Sequence, residues 1–356
     1  MLPPFGWSTA VTQWQFAPIV SAFVAISLVL YCWGVIRVAR RHPARPWPAW
    51  RTLMFMGGLA VIVIATQSGV GAYDDVLFWD HMVQHLMLIM VAPPLLIFGQ
   101  PITLLMHASR NPLHSWTKRV LRSKVASFLT WPVFGAVAYT AVVVGAHLTS
   151  LANDVANNQT LHNGEHAVFL IVGYLFFLPL LGKEPIRWRI SYPLRFVTLV
   201  LLMPVDTFTG IVLGYSGRGA PGLPAGPIPS WAPNAVSDLH DGGAVMWVGG
   251  DAIMFALMMV VFLMWSMDER AATSGHGWLE GVRRANMATL VASNQHAAAG
   301  AAGTGGPSAG DGAEGEPAAV GGVQWSARGG IDDDEHLAAY NDFLSRLNRG
   351  QHGPER

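Results

Sequence analysis

Seven stretches of about twenty apolar residues punctuate the chain, at roughly 17–38, 52–73, 77–98, 127–147, 161–181, 195–214 and 243–266. A helix of about 20 apolar residues crosses the hydrocarbon core of a bilayer, so each stretch predicts a transmembrane helix. The fold class that follows is an all-α integral membrane protein of seven helices. The polar residues between the stretches orient it. Arg37, Arg40, Arg41, Arg45 and Arg51 fill the first connection, Arg110, Lys118, Arg119, Arg122 and Lys124 the third, and Lys183, Arg187, Arg189 and Arg195 the fifth. The alternate connections and the N-terminal segment together hold only Arg218. Basic loops stay in the cytoplasm, which places the N-terminus outside and the C-terminus inside. The first stretch does not read as a cleaved signal, because its leading flank carries neither Lys nor Arg.

The pattern ends near residue 270. Residues 1–270 form the membrane domain, and 271–330, rich in Ala, Gly, Ser and Thr, read as a flexible linker with too few apolar groups for a core. In 331–350, IDDDEHLAAYNDFLSRLNR places acidic residues in a first helical turn and repeats Leu337, Tyr340, Leu344 and Leu347 at helical spacing. This short amphipathic helix is either a frayed tail or a docking element. Composition agrees with a membrane protein: 52% of the 356 residues are hydrophobic and 12% charged. The zero formal charge gives no argument for a nucleic-acid partner; the partner composition demands is a lipid bilayer. The lone Cys32 excludes an internal disulfide and a CxxC thiolate site.

The third stretch opens with polar residues, WDHMVQH, that lipid disfavours. On the predicted topology Asp80, His81 and His85 lie in the outer half, His81 roughly 6 Å and His85 roughly 12 Å below its edge. The i, i+4 spacing sets both imidazoles on one helix face. His162 and His166 repeat the arrangement on the fifth helix, and His147 closes the fourth. Asp206 lies roughly 12 Å deep on the sixth, Asp238, His240 and Asp241 enter with the seventh, and Asp251 lies about as deep. Asp74, Asp75 and Asp241 read as solvated loop charges. A single such His is more often a hydrogen-bonded helix-end residue than a ligand. Two HxxxH pairs at equal depth point further, to a metal or haem site at His81, His85, His147, His162 and His166. Asp80, Asp206, Asp238, His240 and Asp251 stand as orienting groups or alternative ligands.

Imidazole suits copper, zinc and iron alike. Thioethers favour copper(I), and Met203, Met254 and Met258 lie near the acids, although packing explains them as well. HNGEH (162–166) matches an HxxEH zinc-protease pattern, but coincidence in a His-rich chain is the simpler reading. Pro93-Pro94 predicts a kink near mid-membrane.

HMVQHLMLIMVAPPLLIFGQP, LHNGEHAVFLIVGYLFFLPLLGKEP and DLHDGGAVMWVGGD together resemble the CtaG family of multi-span bacterial assembly proteins for caa-type cytochrome c oxidase. DDDEHLAAYNDFLSRL is similar to the C-terminal segment of actinobacterial members. The resemblance implies a bacterial plasma-membrane factor, not an enzyme, that supports maturation of the oxidase copper centres and meets oxidase subunits or other assembly factors. It also implies copper as the cofactor, with the family's His pattern falling on His81, His85, His147, His162 and His166, and its Asp-x-x-x-Gly-Gly entry on Asp238, Gly242 and Gly243. Asp206 stands where many relatives carry His, and His240 is outside the pattern. From the residues alone, a zinc hydrolase using Asp251 or Asp206 as base, a haem electron carrier with axial His pairs, and a scaffold whose His merely pack remain alternatives.

Reporter fusions after residues 40, 118 and 190 are expected to signal cytoplasm, and fusions near 155 and 225 the outside. A cytoplasmic signal from residue 225 would invert the topology.

Overall fold

A computed structural model describes residues 2–44, 46–149, 155, 157–188, 190–216 and 229–268. The linker at 271–330 and the helix at 331–350 lie outside the described residues. Every element among those described is helical. A short α1 (Trp7–Thr12) precedes α2 (Pro18–Arg41), α3 (Ala49–Tyr73) and α4 (Phe78–Ala108). Two short helices, α5 (Leu113–Leu121) and α6 (Lys124–Leu129), lead into α7 (Pro132–Leu148), followed by α8 (Gln159–Leu181), α9 (Tyr192–Tyr215) and α10 (Ala235–Asp268). Six of these, α2, α3, α4, α8, α9 and α10, are long and apolar enough to cross a membrane; α7 is apolar but has 17 residues.

The helices are apolar nearly all round, so packing rather than amphipathic striping decides what is buried. α4 is central: 61% of its apolar window is buried, against 11% in α2. It packs on α3, α8 and α10, while its last segment meets α2. α2 and α9 turn rows of exposed apolar side chains outward, among them Ile19, Phe23, Ile26, Val29, Leu201, Phe208 and Val212. Such rows suit contact with lipid.

α4 is irregular for a reason legible in its sequence. It winds as a π-helix over Met87–Val91 just before Pro93-Pro94. Proline has no N–H, so the Ile89 carbonyl finds no donor at either i+4 or i+5. That carbonyl faces Gly173 of α8, where an added Cβ would lie 2.2 Å from the Ile89 oxygen. Only glycine permits this approach of two backbones. The predicted disruption near mid-helix is therefore present as a π turn locked against α8.

The central helix is held from afar at its start and at its restart. Asp238 of α10 accepts hydrogen bonds from the backbone N–H groups of Phe78 (2.8 Å) and Trp79 (3.1 Å), capping α4. Further along, Gln100 adopts a left-handed conformation (φ 49°) and Pro101 restarts the helix. Glu184 caps that restart, accepting from Ile102 N (3.1 Å), Thr103 N (2.8 Å) and Thr103 Oγ1 (2.5 Å). Burial pushes the Glu184 carboxyl up, and the bonds from Thr103 and Ile102 pull it back.

Gly173→Ala is expected to destabilise the protein by about 1–3 kcal/mol, as overpacking does. A lower midpoint of thermal unfolding in detergent checks it; an unchanged midpoint would mean that α4 and α8 separate freely there.

Candidate metal centre

The polar residues that open α4 are neither solvated nor turned to lipid. Asp80, His81, Gln84 and His85 are all buried, as are His147, His162 and His166. The i, i+4 pairs face each other across the α4–α8 contact. The His81 ring lies 4.1 Å from His85 and 5.8 Å from His162, and the His162 ring 4.5 Å from His166. His147, from α7, reaches His85 with its ring 5.2 Å away. The five histidines expected to share one site do lie together.

Hydrogen bonds assign a tautomer to most of these rings. Gln84 Nε2 donates to Ala65 O (2.9 Å) and to Asp74 Oδ2 (2.8 Å). Two acceptors on that side require the amide nitrogen there, so Oε1 faces His166 Nε2 at 2.8 Å and accepts its proton. His162 Nε2 in turn donates to Asp74 Oδ2 at 3.2 Å. In α7, His147 Nδ1 lies 2.7 Å from Val143 O, and a carbonyl can only accept. The neutral His147 ring therefore presents a lone pair at Nε2, which accepts from His85 Nδ1 at 3.1 Å.

This leaves His85 Nε2 as a bare lone pair. It points toward Glu165 Oε2, 3.5 Å away, with both side chains buried. His85 Nε2, Glu165 Oε2, His81 Nδ1 and Asp80 Oδ2 are buried polar atoms with no hydrogen-bond partner. A lone pair and a carboxylate oxygen repel unless something positive lies between them, and orphaned buried groups cost about 1–3 kcal/mol each. Donor atoms of His81, His85 and Glu165 lie within 4.8 Å of one another, as do those of Asp74, His162 and His166. Metal–ligand bonds of about 2.0–2.2 Å bring ligand atoms to roughly 4 Å apart or less, so a small contraction lets either set hold one ion. The residues present thus fit a metal.

Other expectations need correction. Asp74 is buried and bonded to both Gln84 and His162, because the turn before α4 folds back under α8; it is not a solvated loop charge. Its neighbour Asp75, outside the spans, is exposed as a loop charge is; partial desolvation and the Asp74 carboxylate push its carboxyl up and His162 opposes them. Asp206 accepts from Tyr139 Oη (2.9 and 3.1 Å) and Asp251 from Thr207 Oγ1 (3.0 Å), not from an imidazole. Asp238 caps α4. His240 is exposed and packs edge-on against Tyr215. Met254 and Met258 are buried in the apolar core, with Met203 packed against it. Two participants escaped the sequence reading. Glu165 lay inside HNGEH, and its position three residues after His162 and one before His166 was the available signal. Gln84, one residue before His85, carried none.

The comparisons with known proteins speak to the whole bundle. The family model for the cytochrome c oxidase caa3 assembly factor (Caa3_CtaG) matches residues 29–268. The chain belongs to this family. The description of this family is that of an assembly factor for cytochrome c oxidase. Among relatives, the uncharacterized protein Mb0105 of Mycobacterium bovis is 29% identical over 272 residues, covering 74% of this chain and 41% of the relative. The uncharacterized protein ML1998 of Mycobacterium leprae is 28% identical over 271 residues, 73% of this chain and 41% of the relative. The chain thus spans about two fifths of the length of these curated relatives. No solved structure matches.

Gln84→Leu is expected to orphan His166 Nε2 and to strip Asp74 of one of its two donors, leaving the Asp74–His162 bond, and to destabilise by about 1–3 kcal/mol per uncompensated group. Thermal unfolding of the purified variant reads this. A midpoint equal to wild type would show that the network does not hold α3, α4 and α8 together.

Proposed function

We propose that this family member is a seven-helix protein of the bacterial plasma membrane, N-terminus outside, that holds copper at its histidine cluster and supports maturation of the oxidase copper centres. The observation that carries the reading is the set of buried, unpartnered ligand atoms on His81, His85 and Glu165, inside a bundle whose family serves oxidase assembly. On the topology that the basic loops imply, the cluster lies in the outer half. The cluster's side chains are buried, but they sit at the starts of α4 and α8 and the end of α7, so the route to the surface is short. Neutral imidazoles bind copper strongly without thiolate, and exchange at such a surface is what delivery to a partner requires. The protein then acts by holding and releasing an ion, with the oxidase or its assembly machinery as partner, and no turnover is assigned to it.

Detergent-purified protein is expected to contain copper by elemental analysis and to lack a haem absorption band. His85→Ala should lower the copper content far more than His114→Ala, a change in α5 at the other end of the bundle. A strain lacking the protein should make the oxidase subunits but leave them copper-poor, with activity partly restored by added copper. Full copper and normal activity in that strain would overturn the reading; zinc as the bound metal would turn it toward a membrane hydrolase.

A further inference from the structure

The cluster offers two sets of possible ligands, and the hydrogen bonds treat them differently. In the set of Asp74, His162 and His166, both imidazoles already donate through Nε2, and Asp74 Oδ2 already accepts twice. Gln84 ties this set to the backbone of α3 at Ala65. Every polar atom that these bonds use is satisfied within the protein, as a membrane interior demands. In the set of His81, His85 and Glu165 the reverse holds: one atom of each residue is buried without a partner. His147 belongs to neither set. Its Nε2 accepts the proton of His85 Nδ1, and its own Nδ1 is committed to Val143 O. Both of its nitrogens are occupied, and neutral His147 has no lone pair left for an ion.

We infer that the ion is held by His81, His85 Nε2 and Glu165 Oε2, that His147 is a positioning residue setting the tautomer of His85, and that Asp74, Gln84, His162 and His166 form a structural brace. This rests on the metal reading above and refines it. A ligand imidazole ordinarily donates its second N–H to an oriented acceptor, which fixes the ring and raises its basicity. Here that acceptor is another histidine. Two imidazoles and a carboxylate leave a fourth position open, the arrangement of metal sites that must exchange a ligand. A carboxylate oxygen and the absence of a sulfur ligand favour a divalent ion over copper(I). The ligand class is therefore a divalent first-row ion, with Cu2+ ahead of Zn2+ in intrinsic affinity.

The test titrates full-length protein in detergent with Cu2+, with Zn2+ and, under reductant, with Cu+. Wild type is expected to take one divalent ion. Glu165→Gln should weaken Cu2+ and Zn2+ and leave Cu+ nearly unchanged. His147→Leu should weaken Cu2+ by about 10–100-fold, the usual effect of losing an orienting partner. His147→Gln, whose amide oxygen can replace the Nε2 lone pair, should recover most of that loss. His162→Gln and His166→Gln should lower the melting midpoint more than the affinity. X-ray absorption of Cu2+-loaded wild type needs no variant to fold and should count two imidazoles. A count of four or five, or no rescue by His147→Gln in a folded variant, would overturn this division of roles while leaving a metal site. Wild type that takes up no ion would instead remove the metal reading itself.

Discussion

Hydrocarbon offers no partner to a polar group, and the rest of this structure depends on how Gln84 meets that constraint. One amide side chain donates to α3 at Ala65 and to Asp74 at the start of the turn before α4, and accepts from His166 of α8. It thereby joins three helices at the level where the histidines lie. Its bond to His166, with those of Asp74 to His162 and of Val143 O to His147, decides which ring nitrogens carry protons, and hence which lone pairs remain. Packing and chemistry are set by one network, because in a low-dielectric interior an unmade bond is costly.

The central helix that carries this network is built to be held rather than to be regular. Its first turn is capped by Asp238, its middle is wound as a π turn before two prolines, and its restart is capped by Glu184. The backbone N–H groups freed at Phe78, Trp79, Ile102 and Thr103 are met by carboxylates from another helix or connection, while the Ile89 carbonyl freed by the prolines packs against Gly173. The Ile89 carbonyl against Gly173 shows the cost of that design: α8 must present a glycine there. The result is a fixed distance between the two HxxxH faces.

Not every buried acid joins the cluster. Asp206 with Tyr139, and Asp251 with Thr207, form pairs between α7, α9 and α10 that satisfy themselves. They show what a paired polar group looks like in this bundle, and the unpartnered His85 and Glu165 atoms stand out against them. The family assignment covers nearly all of the described helices, so the cluster lies inside the part of the chain that defines the family.

Apolar run length revealed six long helices and the shorter α7, since the thickness of a bilayer leaves little freedom, but not that α4 continues to Ala108 or that α10 begins at Ala235. Helical spacing revealed that His81 with His85, and His162 with His166, share faces, because the period of a helix is fixed by backbone geometry. The doubled proline announced an irregular α4. What spacing within one helix cannot state is which face meets which. Asp74 read as a loop charge until the turn was seen to fold under α8, and Asp238 read as an orienting group until its carboxylate was seen on the first turn of α4. Glu165 was visible only as a letter in a motif, and Gln84 not at all. Their roles depend on contacts between residues 80 or more positions apart, which only the packing of helices against one another decides.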